Sequence, residues 1–134
     1  MVEVTVHMEA EINPTESEEK VKAAVNNVLD NASITINLHN KGSTLSAEAT
    51  GQDSLVKLRN ILRSDRVRDA ARKALFHNTR GNTISFCLNK QVAFAGHISF
   101  SEETAESPLG PLRVTIETDR PQQLIEWLAE KTGR

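Results

Sequence analysis

Six stretches of this chain place apolar residues at every second position, and four others place them at helical spacing. A strand of that kind buries one face, and a helix of that kind buries one stripe. Every segment is thus apolar on one side only. Such a chain is constrained to a sheet with helices laid against one face, because that arrangement covers each apolar side once.

The strongest alternation runs over Ile84, Phe86 and Leu88. Val92, Phe94, Ile98 and Phe100 then keep the same parity, with Gly96 leaving a gap. The polar interval Asn89–Lys90–Gln91 is expected to be the turn of an antiparallel hairpin. Val2, Val4 and Val6 make a first strand, ended by Asn13–Pro14. Ile34, Ile36 and Leu38 make a second, and Leu45, Ala47 and Ala49 a third across the Asn40–Lys41–Gly42 turn. Leu112, Val114 and Ile116 make the last.

Thr15, with Glu18 three residues on, reads as a capping box. Val21, Val25, Val28 and Leu29 give that helix its apolar face as far as Asp30–Asn31. Asp53 is expected to cap two central helices that meet near Ser64–Asp65. Leu55, Leu58, Ile61 and Leu62 face inward on the first, and Val67, Ala70, Ala71, Ala74 and Leu75 on the second. Pro121 stands just inside a final helix that buries Leu124, Ile125, Trp127 and Leu128. The element order is β-α-β-β-α-α-β-β-β-α. The fold class is α+β, two-layer, with a mostly antiparallel sheet and helices on one face. A length of 134 residues fits a single domain over 1–134.

Charge is unevenly placed. Lys57, Arg59, Arg63, Arg66, Arg68, Arg72, Lys73 and Arg80 are opposed within their segment by Asp65 and Asp69 alone, a local net of +6. The rest of the chain carries −8. On the second central helix, Arg68 and Arg72 fall on one solvent flank and Arg66 and Lys73 on the other, with Asp69 between. A basic patch in an acidic chain permits local, but not indiscriminate, contact with polyanions.

Other chemistries have little support. His7, His39, His77 and His97 include no two at three- or four-residue spacing, and Cys87 is the one cysteine. Neither a zinc site nor an internal disulfide is expected, and a reducing, cytoplasmic setting fits. No catalytic motif and no cofactor motif is present. Glu102, Glu103 and Glu106 read as a solvated acidic loop rather than a metal site, and Ser107–Pro108–Leu109–Gly110–Pro111 as a stiff connector. No apolar run approaches the roughly 20 residues of a membrane span.

The blocks LRNILRSDRVRDAARKAL, GNTISFCLNKQVAFAGHISF and ESPLGPLRVTI, with LIEWLAEKT near the end, resemble a family of small archaeal proteins, uncharacterised protein family 0201. The resemblance runs from Pro14–Thr15–Glu16 to Thr132. It implies a fold similar to that of the ribosomal protein that contacts 5S ribosomal RNA, and an RNA-binding role.

Two readings of the basic patch follow. In the first, a non-enzymatic protein holds RNA phosphates with Arg59, Arg63, Arg66, Arg68, Arg72, Lys73 and Arg80, and with Lys90 as an outlying contact. In the second, the chain is a homodimeric structural or regulatory module that meets its copy through the sheet or the Pro-rich loop. Its basic helix face is then laced by Arg66–Asp69 and Asp69–Lys73 pairs or matched by Glu102–Glu106.

Overall fold

The computed structural model describes residues 3–101 and 110–131. The first strand is longer than its valines announce. β1 (Val4–Ile12) carries the alternation on through Met8, Ala10 and Ile12, all buried. Helix α1 (Glu18–Val28) begins later than expected, for its cap is Ser17 rather than Thr15. The Ser17 hydroxyl accepts the Lys20 N–H at 3.3 Å. The reason lies in Glu16, whose carboxylate accepts the Asn13 backbone N–H at 2.9 Å and the Asn13 side-chain amide at 2.8 Å. That turn uses up the residues where the earlier cap would stand.

β2 (Ser33–His39) and β3 (Gly42–Thr50) form a hairpin. Gly42, at φ 131°, cannot carry a side chain: a Cβ there would lie 2.4 Å from the Ile12 carbonyl oxygen. A short 3₁₀ turn over Gln52–Leu55 follows, and Asp53 lies inside it instead of capping the helix beyond. Helix α2 (Val56–Ser64) continues directly from that turn with no side-chain cap, so the expected Asp53 cap is replaced by continuity of the backbone spiral. Leu55, Leu58 and Leu62 are buried as their spacing requires. Helix α3 (Arg68–His77) buries Ala71 and Leu75 but leaves Ala70 exposed.

After the two-residue β4 (Thr79–Arg80) comes β5 (Thr83–Asn89). The expected hairpin turn at Asn89–Lys90–Gln91 does not form. The Asn89 side chain accepts the Val92 N–H at 3.0 Å and starts a short helix, α4 (Lys90–Phe94). Asn27 of α1 caps its other end, donating to the carbonyls of Ala93 at 3.0 Å and Phe94 at 3.1 Å. Gly96, at φ 87°, then turns the chain. Only β6 (Phe100–Ser101) returns to the sheet beside β5. Phe94, whose parity pointed to the core, is 45% exposed. β7 (Pro111–Thr118) and α5 (Pro121–Leu128) close the fold, with Pro121 in the first turn as expected.

The sheet has the order β2-β3-β1-β7-β5-β4, with β6 also paired to β5. All of these pairings are antiparallel. One face carries Val6, Met8, Ala10, Leu45, Ala47, Ile84, Leu88, Leu112, Val114 and Ile116 into the core beneath the helices. The alternate positions form the open face, where His7 meets Glu48 at 3.6 Å and His39 meets Glu11 at 3.3 Å. The α+β two-layer class and its antiparallel sheet are as the alternation implied. The added pieces are the 3₁₀ turn, β4 and α4.

Candidate nucleic-acid interface

The basic residues of the central segment divide into two sets. Those facing α5 are tied down. The Arg59 guanidinium donates to the Trp127 carbonyl at 2.9 Å and to the Glu130 carboxylate at 2.8 Å, and lies over the Trp127 ring. Arg72 donates to Glu126 and lies over the Phe76 ring. The hydrogen bond from Arg72 holds the Glu126 carboxyl below its usual range, and the same contact raises Arg72. Lys57 donates to the Asn26 carbonyl at 2.7 Å. The carboxylates that neutralise helical arginines thus come from the last helix and the residues just after it. Glu102–Glu106, the acids expected to do so, lie outside the described residues.

Lys90 belongs with this tied set. It is 4% exposed, and its ammonium donates to the Glu11 carbonyl at 2.7 Å and to Glu16 at 3.0 and 3.1 Å. Burial pushes the Glu16 carboxyl up, but hydrogen bonds from the Asn13 backbone and from Lys90 outweigh it and leave the group below its usual range. A residue so placed fixes α4 to the β1–α1 corner; no polyanion reaches it.

The second set surrounds the α2–α3 turn. The chain there makes a Schellman closure: the Val67 N–H donates to the Leu62 carbonyl and the Arg66 N–H to the Arg63 carbonyl, both at 3.2 Å. The apolar Leu62 and Val67 occupy the two positions whose contact commonly accompanies this closure. The geometry forces the residue between Asp65 and Val67 into the left-handed region, a place that usually falls to glycine. Here it is Arg66, at φ 57°. Arg63, Arg66 and Arg68, with Asp69, line one shallow hollow of about 360 Å³. None of the three arginines shows an ion pair or side-chain hydrogen bond among the described residues.

Asp65 does not neutralise this cluster either. Its carboxylate accepts the Ile98 N–H at 3.1 Å and meets His97 Nδ1 at 2.9 Å. The His97 contact, against the pull of burial and helped by Ile98, holds Asp65 below its ordinary value. The turn is thereby pinned to the segment after α4, and the arginines are presented from a fixed base. Sequence reasoning missed this strap, for nothing local to Asp65 announces a partner 32 residues away.

The remaining expected contacts sit further along. Lys73 is exposed one helical turn beyond Asp69. Arg80 is exposed and folds back on the carbonyls of His77 and Thr79, both at 3.0 Å. The structure therefore gathers Arg63, Arg66 and Arg68, places Lys73 on the same helix, and separates Arg59, Arg72 and Lys90 from them. No helix among the described residues is long and apolar enough to cross a membrane.

An antiparallel two-layer α+β domain with an arginine-bearing helix turn matches, over residues 5–118, the model of a protein family described as RNA binding. The chain belongs to that family, and within it to the archaeal UPF0201 proteins. It is 45% identical to the UPF0201 protein of Sulfurisphaera tokodaii over 127 residues, covering 95% of this chain and 88% of the relative. It is 42% identical to that of Sulfolobus acidocaldarius, covering 96% and 89%. The crystal structure of the UPF0201 protein from Methanococcus jannaschii superposes with a TM-score of 0.84 at 30% identity, over 96% of this chain and 95% of that one. A DUF54 protein of Archaeoglobus fulgidus shares the fold at 19% identity and a TM-score of 0.66, over 95% of this chain and 96% of that one. The family is described by what it binds and not by a reaction.

Proposed function

We propose that this protein is a cytoplasmic, non-enzymatic RNA-binding protein whose phosphate-holding group is Arg63, Arg66 and Arg68, extended along α3 by Lys73 and towards β4 by Arg80. The observation that carries the reading is the identity of residue 66. A left-handed backbone costs a non-glycine residue about 1–2 kcal/mol, and glycine would remove that strain. Arginine at such a position returns nothing to the fold, since its guanidinium has no partner among the described residues. Strain of this kind persists where another demand holds it, and a multivalent guanidinium beside two others is suited to phosphate oxygens.

The test is a split outcome at one residue. Arg66→Gly is expected to raise stability by about 0.5–1 kcal/mol in denaturant unfolding. It should also weaken binding of a mixed-sequence RNA by several fold, as measured by fluorescence anisotropy. If the variant is more stable and binds RNA unchanged, Arg66 holds no phosphate.

A second reading has one observation in its favour. β2 is the outer strand of the sheet and its Leu38 is 85% exposed. An unpaired strand edge carrying an exposed leucine is a template for pairing with another copy. A homodimer through this edge would leave the arginine turn open and is compatible with RNA binding. Leu38→Lys is expected to convert a dimer to a monomer in sedimentation, and a wild type that is already monomeric at high concentration removes this reading.

A further inference from the structure

Beyond the arginine hollow, α3 leads to a larger opening. The outward stripe of α3 runs from Asp69 and Ala70 through Lys73 and Ala74 to His77, residues three and four apart on one side of the helix. Asp69 borders the arginine hollow, and Ala70, next in the chain, borders a cleft of about 1000 Å³. The helix is 10 residues long, which is about 15 Å of track.

The cleft lies where pairing along one edge of β5 is interrupted among the described residues. On that side β4 pairs only with Thr83 and Ile84, and β6 only with Cys87 and Leu88. Ser85 and Phe86 lie between the two, and the Ser85 N–H reaches the Asn78 carbonyl at 3.4 Å. The opening is flanked by α3 on one side and by Arg113 to Thr115 of β7 on the other.

Its lining is mixed in a particular way. Lys73 and His77 supply donors at the α3 wall, and Asn78, Ser85 and Ser101 add amide and hydroxyl groups to the lining. The half-buried Phe100 contributes aromatic surface, its ring centroid 5.7 Å from that of Phe86. The Ser101 hydroxyl is buried and has no hydrogen-bond partner among the described residues. A buried hydroxyl left unmatched costs free energy in the empty protein, and a ligand that supplies the missing partner recovers it.

We infer that this cleft receives one unstacked base of a single-stranded RNA whose preceding phosphates lie on Arg63, Arg66 and Arg68, with Lys73 holding the phosphate at the cleft mouth. The inference rests on the RNA reading above and narrows it to single strands. A duplex keeps its bases inside the helix and cannot offer an edge to Asn78, Ser85 and Ser101, whereas an unpaired base offers both a hydrogen-bonding edge and a face. Arg68 and Lys73 are five residues apart on α3, about 7.5 Å of rise, which is close to one backbone repeat of a single strand.

Fluorescence anisotropy at one fixed salt concentration tests this with an eight-nucleotide oligoadenylate and an eight-base-pair RNA duplex. Wild type is expected to bind the single strand about tenfold tighter, the worth of one stacked and bonded base. The double variant Ala70→Leu/Ser85→Leu fills the cleft from two exposed positions without changing any charge. It should lose the single-strand advantage while its duplex affinity stays within twofold. Ser101→Ala should weaken the single strand a few fold and leave the duplex unaffected. Oligoadenylate should also slow the reaction of Cys87, which lines the cleft, with a thiol reagent, and the duplex should not. Equal affinity of wild type for the two RNAs, or a filled-cleft variant that keeps the single-strand advantage, overturns the cleft and leaves the arginine reading standing. Failure of wild type to bind either RNA overturns both.

Discussion

Arg63, Arg66 and Arg68 stand within a dozen residues of Arg59 and Arg72, yet the two sets have opposite fates. The latter face α5, where Glu126 and, just past the helix end, Glu130 receive them and Trp127 lies beneath one of them. The former surround the turn between helices and line one hollow away from α5. Equal charge on neighbouring helices thus becomes structural in one direction and available in the other. What separates them is the final helix, laid along one side of the pair only. Lys90 extends the lesson, since a lone basic residue in a polar stretch became the most buried cation of the set.

The comparison breaks most readily at its tied end. Lys90→Ala leaves Glu16 buried without its ammonium, and is expected to cost about 3–5 kcal/mol in chemical unfolding. Lys90→Met combined with Glu16→Gln should recover a large part of that loss. A Lys90→Ala protein of unchanged stability would place Lys90 in the available class after all.

The acid at the turn gives the next largest effect. Asp65→Ala removes the bond to the Ile98 N–H and the contact with His97, and should cost about 1–3 kcal/mol at pH 6. The sign of its pH dependence follows from the lowered carboxyl. Asp65 in the folded protein titrates below its ordinary 3.8, so its contribution is fully present above that pH and is lost as pH falls through the folded value. The stability gap between wild type and Asp65→Ala should therefore close as pH falls below 3.8. A gap that persists into strong acid would mean that charge at Asp65 is irrelevant to the strap.

Smallest is the expected stability effect of Arg59→Ala, about 0.5–1 kcal/mol, or of Arg72→Ala, smaller than that of Asp65→Ala, because both ion pairs are solvent-facing on the carboxylate side. Neither substitution should alter RNA affinity by more than about twofold, a change near 0.4 kcal/mol. A large loss of affinity from either one would erase the division between the sets.

Much of the fold was legible because parity survives tertiary context. Strands β1, β2, β3, β5 and β7 and helices α1, α2, α3 and α5 all fall where alternation or helical spacing put them. Val92 to Ile98 did not, because period alone cannot separate a short strand from a short helix followed by a turn. The decisive signal was Asn89, three residues before the N–H it caps, and it was taken for turn chemistry. The same error placed Phe94 in the core and Lys90 at the surface. At the candidate site, the clustering of basic residues was readable and their partition was not. Arg59 and Arg72 are paired by carboxylates more than 50 residues away, and Lys90 by one 74 residues away. Helical geometry did place Arg68 and Arg72 on one flank, but it could not tell that α5 would lie against Arg72. The left-handed Arg66 was also invisible, since a Schellman closure without glycine leaves little trace in the sequence.

The most direct measurement is the salt dependence of RNA affinity for two variants side by side: Arg63→Ala/Arg66→Ala/Arg68→Ala and Arg59→Ala/Arg72→Ala. If the outward arginines hold phosphates, the triple variant should flatten the slope of log affinity against log salt by about 2–3 units and the double variant should leave it unchanged. Equal slopes for wild type and the triple variant, or a flattening that follows Arg59 and Arg72 instead, would contradict the division on which the proposed function stands.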